Sequence, residues 1–154
     1  MTTKYEVTAI RIIREADPFA DLSDLGEYSN TPGAVAIDRA ARGELSPREF
    51  RYFNPAMTGE ETGNPDSPEQ DYQRMQAYNR GEWQMMGVHA EAVLECPNKP
   101  RQVIRSGGLW GVESDSDEAY FAEVADEELA ALRDILAAFA IGIPANVGCT
   151  SAMR

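Results

Sequence analysis

From Ser116 to about Ala140 the apolar side chains return with the period of a helix, and this run does most to limit what the chain can fold into. At about 100° per residue, Phe121, Val124, Ala125, Leu129, Leu132, Ile135, Leu136 and Phe139 share one arc, and Glu123, Asp126, Glu127 and Asp134 lie on the opposite one. Ser114 or Ser116 is placed to cap the start, with Asp117 and Glu118 in the first turn, where the helix dipole favours anions. A helix with one apolar face needs a second apolar surface, and the rest of the chain offers one in β form. Residues 4–15 (KYEVTAIRIIRE) are rich in Val, Ile, Thr and Tyr and read as a strand. Two further β-rich runs, 83–95 and 102–113, flank the connection Cys96-Pro97-Asn98-Lys99-Pro100 and read as a hairpin, with Gly107-Gly108 bending the second run. A shorter helix over 67–80 opens with Ser67-Pro68-Glu69-Gln70, aligns Tyr72, Met75 and Tyr78 on one face and ends at Gly81. The expected class is α+β: an antiparallel sheet of three to four strands, including the hairpin 83–95/102–113, with helices 67–80 and 116–140 packed against it.

Residues 16–33 read as a long loop rich in Pro, Gly, Asp and Ser, and 55–66 as a second loop. The stretch 34–53 stays open between two readings. Ala34, Ile37 and Ala41 have helical spacing and Ser46-Pro47-Arg48-Glu49 fits a capping box, yet Phe50, Tyr52 and Phe53 look extended. A length of 154 residues suits one globular domain, expected over 1–141, with 142–154 a flexible tail beyond Gly142-Ile143-Pro144. At 43% hydrophobic the chain is too apolar for disorder, and it carries no apolar run long enough to span a membrane. The N-terminus lacks a charged segment followed by an apolar one, and two cysteines build no disulfide framework, so a reducing, cytoplasmic setting is expected.

Charge is unevenly spread. Of 26 acids, nineteen occupy three stretches without a single base: six in 15–38, five in 60–71 and eight in 113–128. The other seven acids share the remaining chain with all fourteen bases, and the whole is −12. Such a balance argues against direct nucleic-acid binding, which needs clustered Lys and Arg, but it can steer a basic partner.

Residues with chemical potential each have a plainer reading beside the active one. Asp115-Ser116-Asp117-Glu118 resembles the opening of a calcium loop but meets alanine and tyrosine where a ligand and a glycine are needed, which favours a helix cap. Asp17, Asp21 and Asp24 could gather a cation, though loop aspartates commonly close Asx turns. Cys96 or Cys149 with His89, the only histidine, would make a nucleophile–base pair only if the fold joined them. Ser106-Gly107-Gly108-Leu109-Trp110-Gly111 has the glycines of a phosphate cradle without its Lys-Ser/Thr, so a structural bulge is favoured. Trp83, Trp110, Tyr52 and Phe53 could stack bases, but no basic stripe accompanies them, and core packing reads better. Arg39, Arg42, Arg48 and Arg51, interleaved with Glu44 and Glu49, are expected to pair with acids of the same chain. No catalytic residue, metal site or cofactor is assigned.

The segments Asp21-Leu22-Ser23-Asp24-Leu25-Gly26-Glu27-Tyr28-Ser29, Glu49-Phe50-Arg51-Tyr52-Phe53-Asn54-Pro55, Tyr78-Asn79-Arg80-Gly81-Glu82-Trp83 and Ser106-Gly107-Gly108-Leu109-Trp110-Gly111-Val112-Glu113-Ser114-Asp115-Ser116-Asp117-Glu118 resemble an uncharacterised family carried by bacterial genomes, plasmids and phages. The resemblance spans roughly residues 4–140, and its SGGLWGVESDSDE-type motif is its most specific part. That family has no assigned activity, and what the resemblance implies is a genomic setting in which accessory and anti-defence proteins are common. The sequence expectation is a non-enzymatic interaction protein whose acidic face (Glu118, Glu123, Asp126, Glu127, Asp134) engages a basic, nucleic-acid-binding protein surface. The alternatives are a small enzyme or small-ligand module, with Trp110, Arg105 and Asp24 the first residues to inspect, and a structural protein that assembles through its sheet edge.

Overall fold

Val- and Ile-rich alternation makes the first strand, Glu6–Ala16 (β1), of a computed structural model that describes residues 4–154. There follow Gly26–Ser29 (β2), Ile37–Asp38 (β3), Tyr52–Pro55 (β4), the short helix Gly59–Thr62 (α1), Ser67–Asn79 (α2), Met85–Glu95 (β5), Gln102–Arg105 (β6), Leu109–Glu113 (β7), Glu118–Ala138 (α3) and Cys149–Met153 (β8). The class is α+β. The strands are mostly antiparallel, with one parallel pair, and they form two sheets where the sequence reading has one sheet of three to four strands.

The chain divides into two compact units, where one domain over 1–141 is expected. The first joins the residues through Ala20 to Gln84–Arg154. Its sheet runs β6-β5-β1-β8, and β7 also pairs with β5. The expected hairpin is present but split: β5 pairs antiparallel with β6 and again with β7, and the chain breaks pairing at Gly107-Gly108. One face of this sheet carries Val7, Ile10, Ile12, Val88, Ala90, Ala92 and Leu94, and α3 closes it with Phe121, Val124, Leu132 and Leu136, all buried. Arg14 crosses the seam at its edge, with its guanidinium 3.9 Å from the centre of the Phe121 ring.

Residues 142–154 do not form a loose tail. Ile141, Ile143 and Val147 pack against the core, and β8 then adds to the free edge of β1 in parallel register, Ile10 opposite Cys149 and Arg14 opposite Met153. Apolar side chains before the strand and a vacant backbone edge beside it outweigh the small, polar composition that suggested fraying.

The second unit, Asp21–Trp83, owns a separate core of Ile37, Phe53, Tyr72 and Met75, joined by Leu22, Leu25 and Tyr28. Its sheet is β2-β4-β3, and α2 packs on it through Tyr72 and Met75, so that helix serves this sheet and not the one that α3 covers. The 16–33 segment thus contains a strand, and the ambiguous 34–53 segment is extended at both ends with turns between. Ser46-Pro47-Arg48-Glu49 closes a turn, Glu49 N donating to the Ser46 carbonyl, and starts no helix.

Candidate functional site

Helix α3 is set by its cap and its two faces. Asp117, in extended conformation, accepts a hydrogen bond from Tyr120 N at 2.8 Å; the cap is this aspartate, and neither Ser114 nor Ser116 takes that place. Burial of Phe121, Val124, Leu132 and Leu136 then turns Glu123, Asp126, Glu127 and Asp134 to the outside, where all four are exposed. Among the described residues no cation pairs with any of them. Glu118 does not belong to this group. Eighteen residues, about five turns, separate it from Leu136, so it leaves the helix on the sheet side. There Arg14 holds it with two hydrogen bonds of 3.1 and 2.8 Å and keeps its carboxyl below the usual carboxylate range. Arg133 falls two turns along the helix from Asp126, at the rim of the same face, so four acids and one base give the face a net charge of −3.

A second assembly occupies the sheet face opposite α3. Alternation along β5 sends Val88, Ala90 and Ala92 to the helix and therefore His89 and Glu91 to the other side. Register places Arg11 of β1 and Arg105 of β6 on either side of Glu91, and Arg154 follows β8, its backbone N bonded to the Arg14 carbonyl at 2.8 Å. Glu91 is 1% exposed. Arg154 grips both its oxygens at 2.9 and 3.2 Å, Arg105 Nε reaches Oε2 at 3.2 Å, and Arg11 stands at 3.7 Å. Burial pushes the Glu91 carboxyl up, but the Arg154 hydrogen bonds and the charges of Arg154, Arg105 and His89 outweigh it and hold the group below the usual range. His89, also buried, points Nδ1 at Glu15 (3.5 Å) and Nε2 at Glu91 (3.7 Å), and its Nε2 makes no hydrogen bond. A carboxylate clamped as an anion is a poor proton carrier near neutrality, so this assembly acts as an ionic clasp across β6, β5, β1 and the end of β8. The sequence signal for it is a His and a Glu two residues apart in a strand otherwise filled by Val and Ala (Val88-His89-Ala90-Glu91-Ala92), a charge that an α-covered sheet buries only with partners.

The remaining candidates resolve into structure. The glycine-rich motif has the amides of Gly108 and Gly111 already filled: Glu128 accepts from Gly108 N (2.7 Å) and Ser106 Oγ (2.8 Å), and Asp17 accepts from Gly111 N (3.1 Å). Ser106 Oγ in turn accepts from Ala90 N at 2.9 Å, so the motif ties α3 to β5. Trp110 lies flat on Gly87, where a Cβ would come within 2.2 Å of the indole, and it is 42% exposed. Arg105 belongs to the Glu91 clasp. Asp17 and Asp21 accept from backbone amides two residues on, Phe19 N and Ser23 N, as Asx turns do, and Asp24 is exposed nearby in sequence. Cys96 is buried just past the end of β5, seven residues or about 23 Å of extended chain from His89, and Cys149 is three register rows and two strands away, about 14 Å. Neither makes a nucleophile–base pair. Trp83 and Phe53 are buried, Trp83 with Arg74 stacked 3.7 Å above it, and Tyr52 lies under Arg51. The arginine cluster pairs within the chain as expected for three members: Arg39 with Glu49, Arg42 with Glu69 and Arg51 with Asp38. Arg48 has no such partner among the described residues.

Among the described residues no group of three His, Cys, Asp or Glu is placed to hold a metal ion, and no helix is long and apolar enough to cross a membrane. The chain matches no protein-family model, no curated protein and no solved structure.

Proposed function

We propose that this protein is a non-enzymatic binding protein that presents the outer face of α3 to a basic protein surface of the kind that otherwise holds nucleic acid. The observation that carries the reading is where the anions are left uncompensated. Arg14, Arg39, Arg42, Arg51, Arg80, Arg101 and Arg154 are each spent on an acid elsewhere, while Glu123, Asp126, Glu127 and Asp134 stand exposed without an ion-pair partner among the described residues. From Glu123 to Asp134 the column runs about 16 Å along the helix, the axial rise of roughly five base pairs. Side-chain carboxylates at that spacing present charge without base edges, which suits a surface that reads phosphates and not sequence. The setting implied by the sequence resemblance, rich in anti-defence proteins, makes the nucleic-acid channel of a defence nuclease or restriction enzyme the partner class.

The test is affinity capture from host extract at about 0.05 and 0.5 M salt, with the wild-type protein and with Glu123→Lys, Asp126→Lys and Glu127→Lys combined. These side chains are exposed and make no ion pair among the described residues, so circular dichroism should stay unchanged. The expected result is a basic, nucleic-acid-handling partner that high salt releases, that added duplex DNA displaces, and that the reversed variant fails to retain. Equal capture by the reversed variant, or no salt-sensitive basic partner, overturns the reading.

A further inference from the structure

Within Asp21–Trp83 a cleft of about 340 Å3 is lined by Tyr28, Arg39, Arg48, Glu49, Phe50 and Asn79. We propose that it binds a small organic carboxylate carrying a planar ring. Its floor is a buried guanidinium. Arg39 is 6% exposed, donates to the Phe50 carbonyl at 3.0 Å and to Glu49 at 2.6 Å, lies over the Tyr28 ring at 4.9 Å, and leaves Nε buried without a hydrogen-bond partner. That Nε has no accessible surface, so an anion in the cleft would meet the exposed donors of the lining and not this N–H. The Tyr28 hydroxyl is fixed by Gln76 at 2.5 Å and Asn79 at 3.0 Å, which makes the wall rigid.

Arg48 sets the sign. The Arg39–Glu49 pair is neutral as a unit, and Arg48 is the other cation in the lining, exposed and without an ion-pair partner among the described residues. Its backbone is left-handed, φ 70°, a conformation that a long side chain adopts only when its surroundings impose it, and such positions gather at binding sites. One uncompensated cation beside the Glu49 carboxylate favours a singly charged anion over a doubly charged phosphate ester. Phe50, 52% exposed at the rim, supplies the apolar surface for a ring, and the volume is at the lower end of small-ligand sites. This site is independent of the α3 face.

The probes are benzoate, its neutral analogue benzamide and phenyl phosphate, titrated into the isotope-labelled full chain and followed by amide chemical shifts. Benzoate should give saturable shifts at Arg48, Phe50 and Asn79, with benzamide at least tenfold weaker and phenyl phosphate weaker than benzoate. Arg48→Gly removes the charge and suits the left-handed backbone, so it should keep the fold and weaken benzoate at least tenfold; Phe50→Ala should weaken it several-fold. The Glu123, Asp126 and Glu127 reversal should leave benzoate binding unchanged. Equal binding of benzamide, tighter binding of phenyl phosphate, undiminished binding by Arg48→Gly, or no saturable shift overturns the proposal.

Discussion

Glu91 is the residue on which the first unit's strands agree. A buried carboxylate is stable only when its charge and its lone pairs are matched, and here a bidentate guanidinium and a second guanidinium supply the match. Arg11, Arg105 and Arg154 are 36–56% exposed, so each can return to water if the glutamate is removed, which limits the damage. Glu91→Gln should therefore lower stability in urea unfolding by about 2 kcal/mol, less than the cost of stranding a fully buried partner. A change within error would show that the clasp is ornamental. The cluster was hidden in the sequence because its members come from positions 11, 89, 91, 105 and 154, and only strand pairing gathers them around Glu91 on one face of the sheet. The oddity of a His and a Glu in an alanine- and valine-rich strand was visible, but their partners were not.

Among elements, α3 and β8 mark the two ends of what patterning reveals. Twenty-one residues with an uninterrupted period define α3 almost to its ends, and the same arithmetic separates the four outward acids from Glu118 once Leu136 is known to be buried. The strands β2, β3 and β4 have four, two and four residues, too few to show alternation, and so the sheet of the second unit was not legible. β8 gave no signal because all five of its side chains are exposed and nothing in them asks for burial. What holds it is the backbone ladder to β1 and the grip of Arg154 on Glu91. Arg154→Ala should then raise amide hydrogen exchange across Cys149–Met153 by at least tenfold and leave the centre of β5, paired on both sides, protected. Uniform exchange across β5 and β8 in the variant would mean that the clasp secures the whole sheet and not this edge strand.

At the scale of the whole molecule two electrostatic effects compete, and acid separates them. With a net charge of −12, general self-repulsion eases as pH falls toward the isoelectric point near 4.4, which would raise stability. The specific pairs act in the opposite direction. Arg42 holds Glu69 at about 2, with Gln73 assisting, and Arg51, Arg80, Arg154 and Arg14 hold Asp38, Glu82, Glu91 and Glu118 below their ordinary values. A carboxyl depressed in the fold contributes stability that is complete above its unfolded value, near 4.5 for Glu69, and is lost as pH falls through its folded value. Asp71 runs the other way, because burial raises it. Short-range pairs outnumber it and are less screened than diffuse repulsion, so they decide the sign. Unfolding free energy should be flat above about pH 5.5 and should decline from there toward pH 2, passing the isoelectric point without a maximum. Trp83, buried in the second unit, reports this in a Trp110→Phe background. Because Glu69 and Arg42 are well exposed, Glu69→Gln should cost only about 0.5–1 kcal/mol at pH 7, and the difference from the parent should close by about pH 2. A stability maximum near pH 4.4 would place the control of the fold in its overall charge and remove it from the individual pairs.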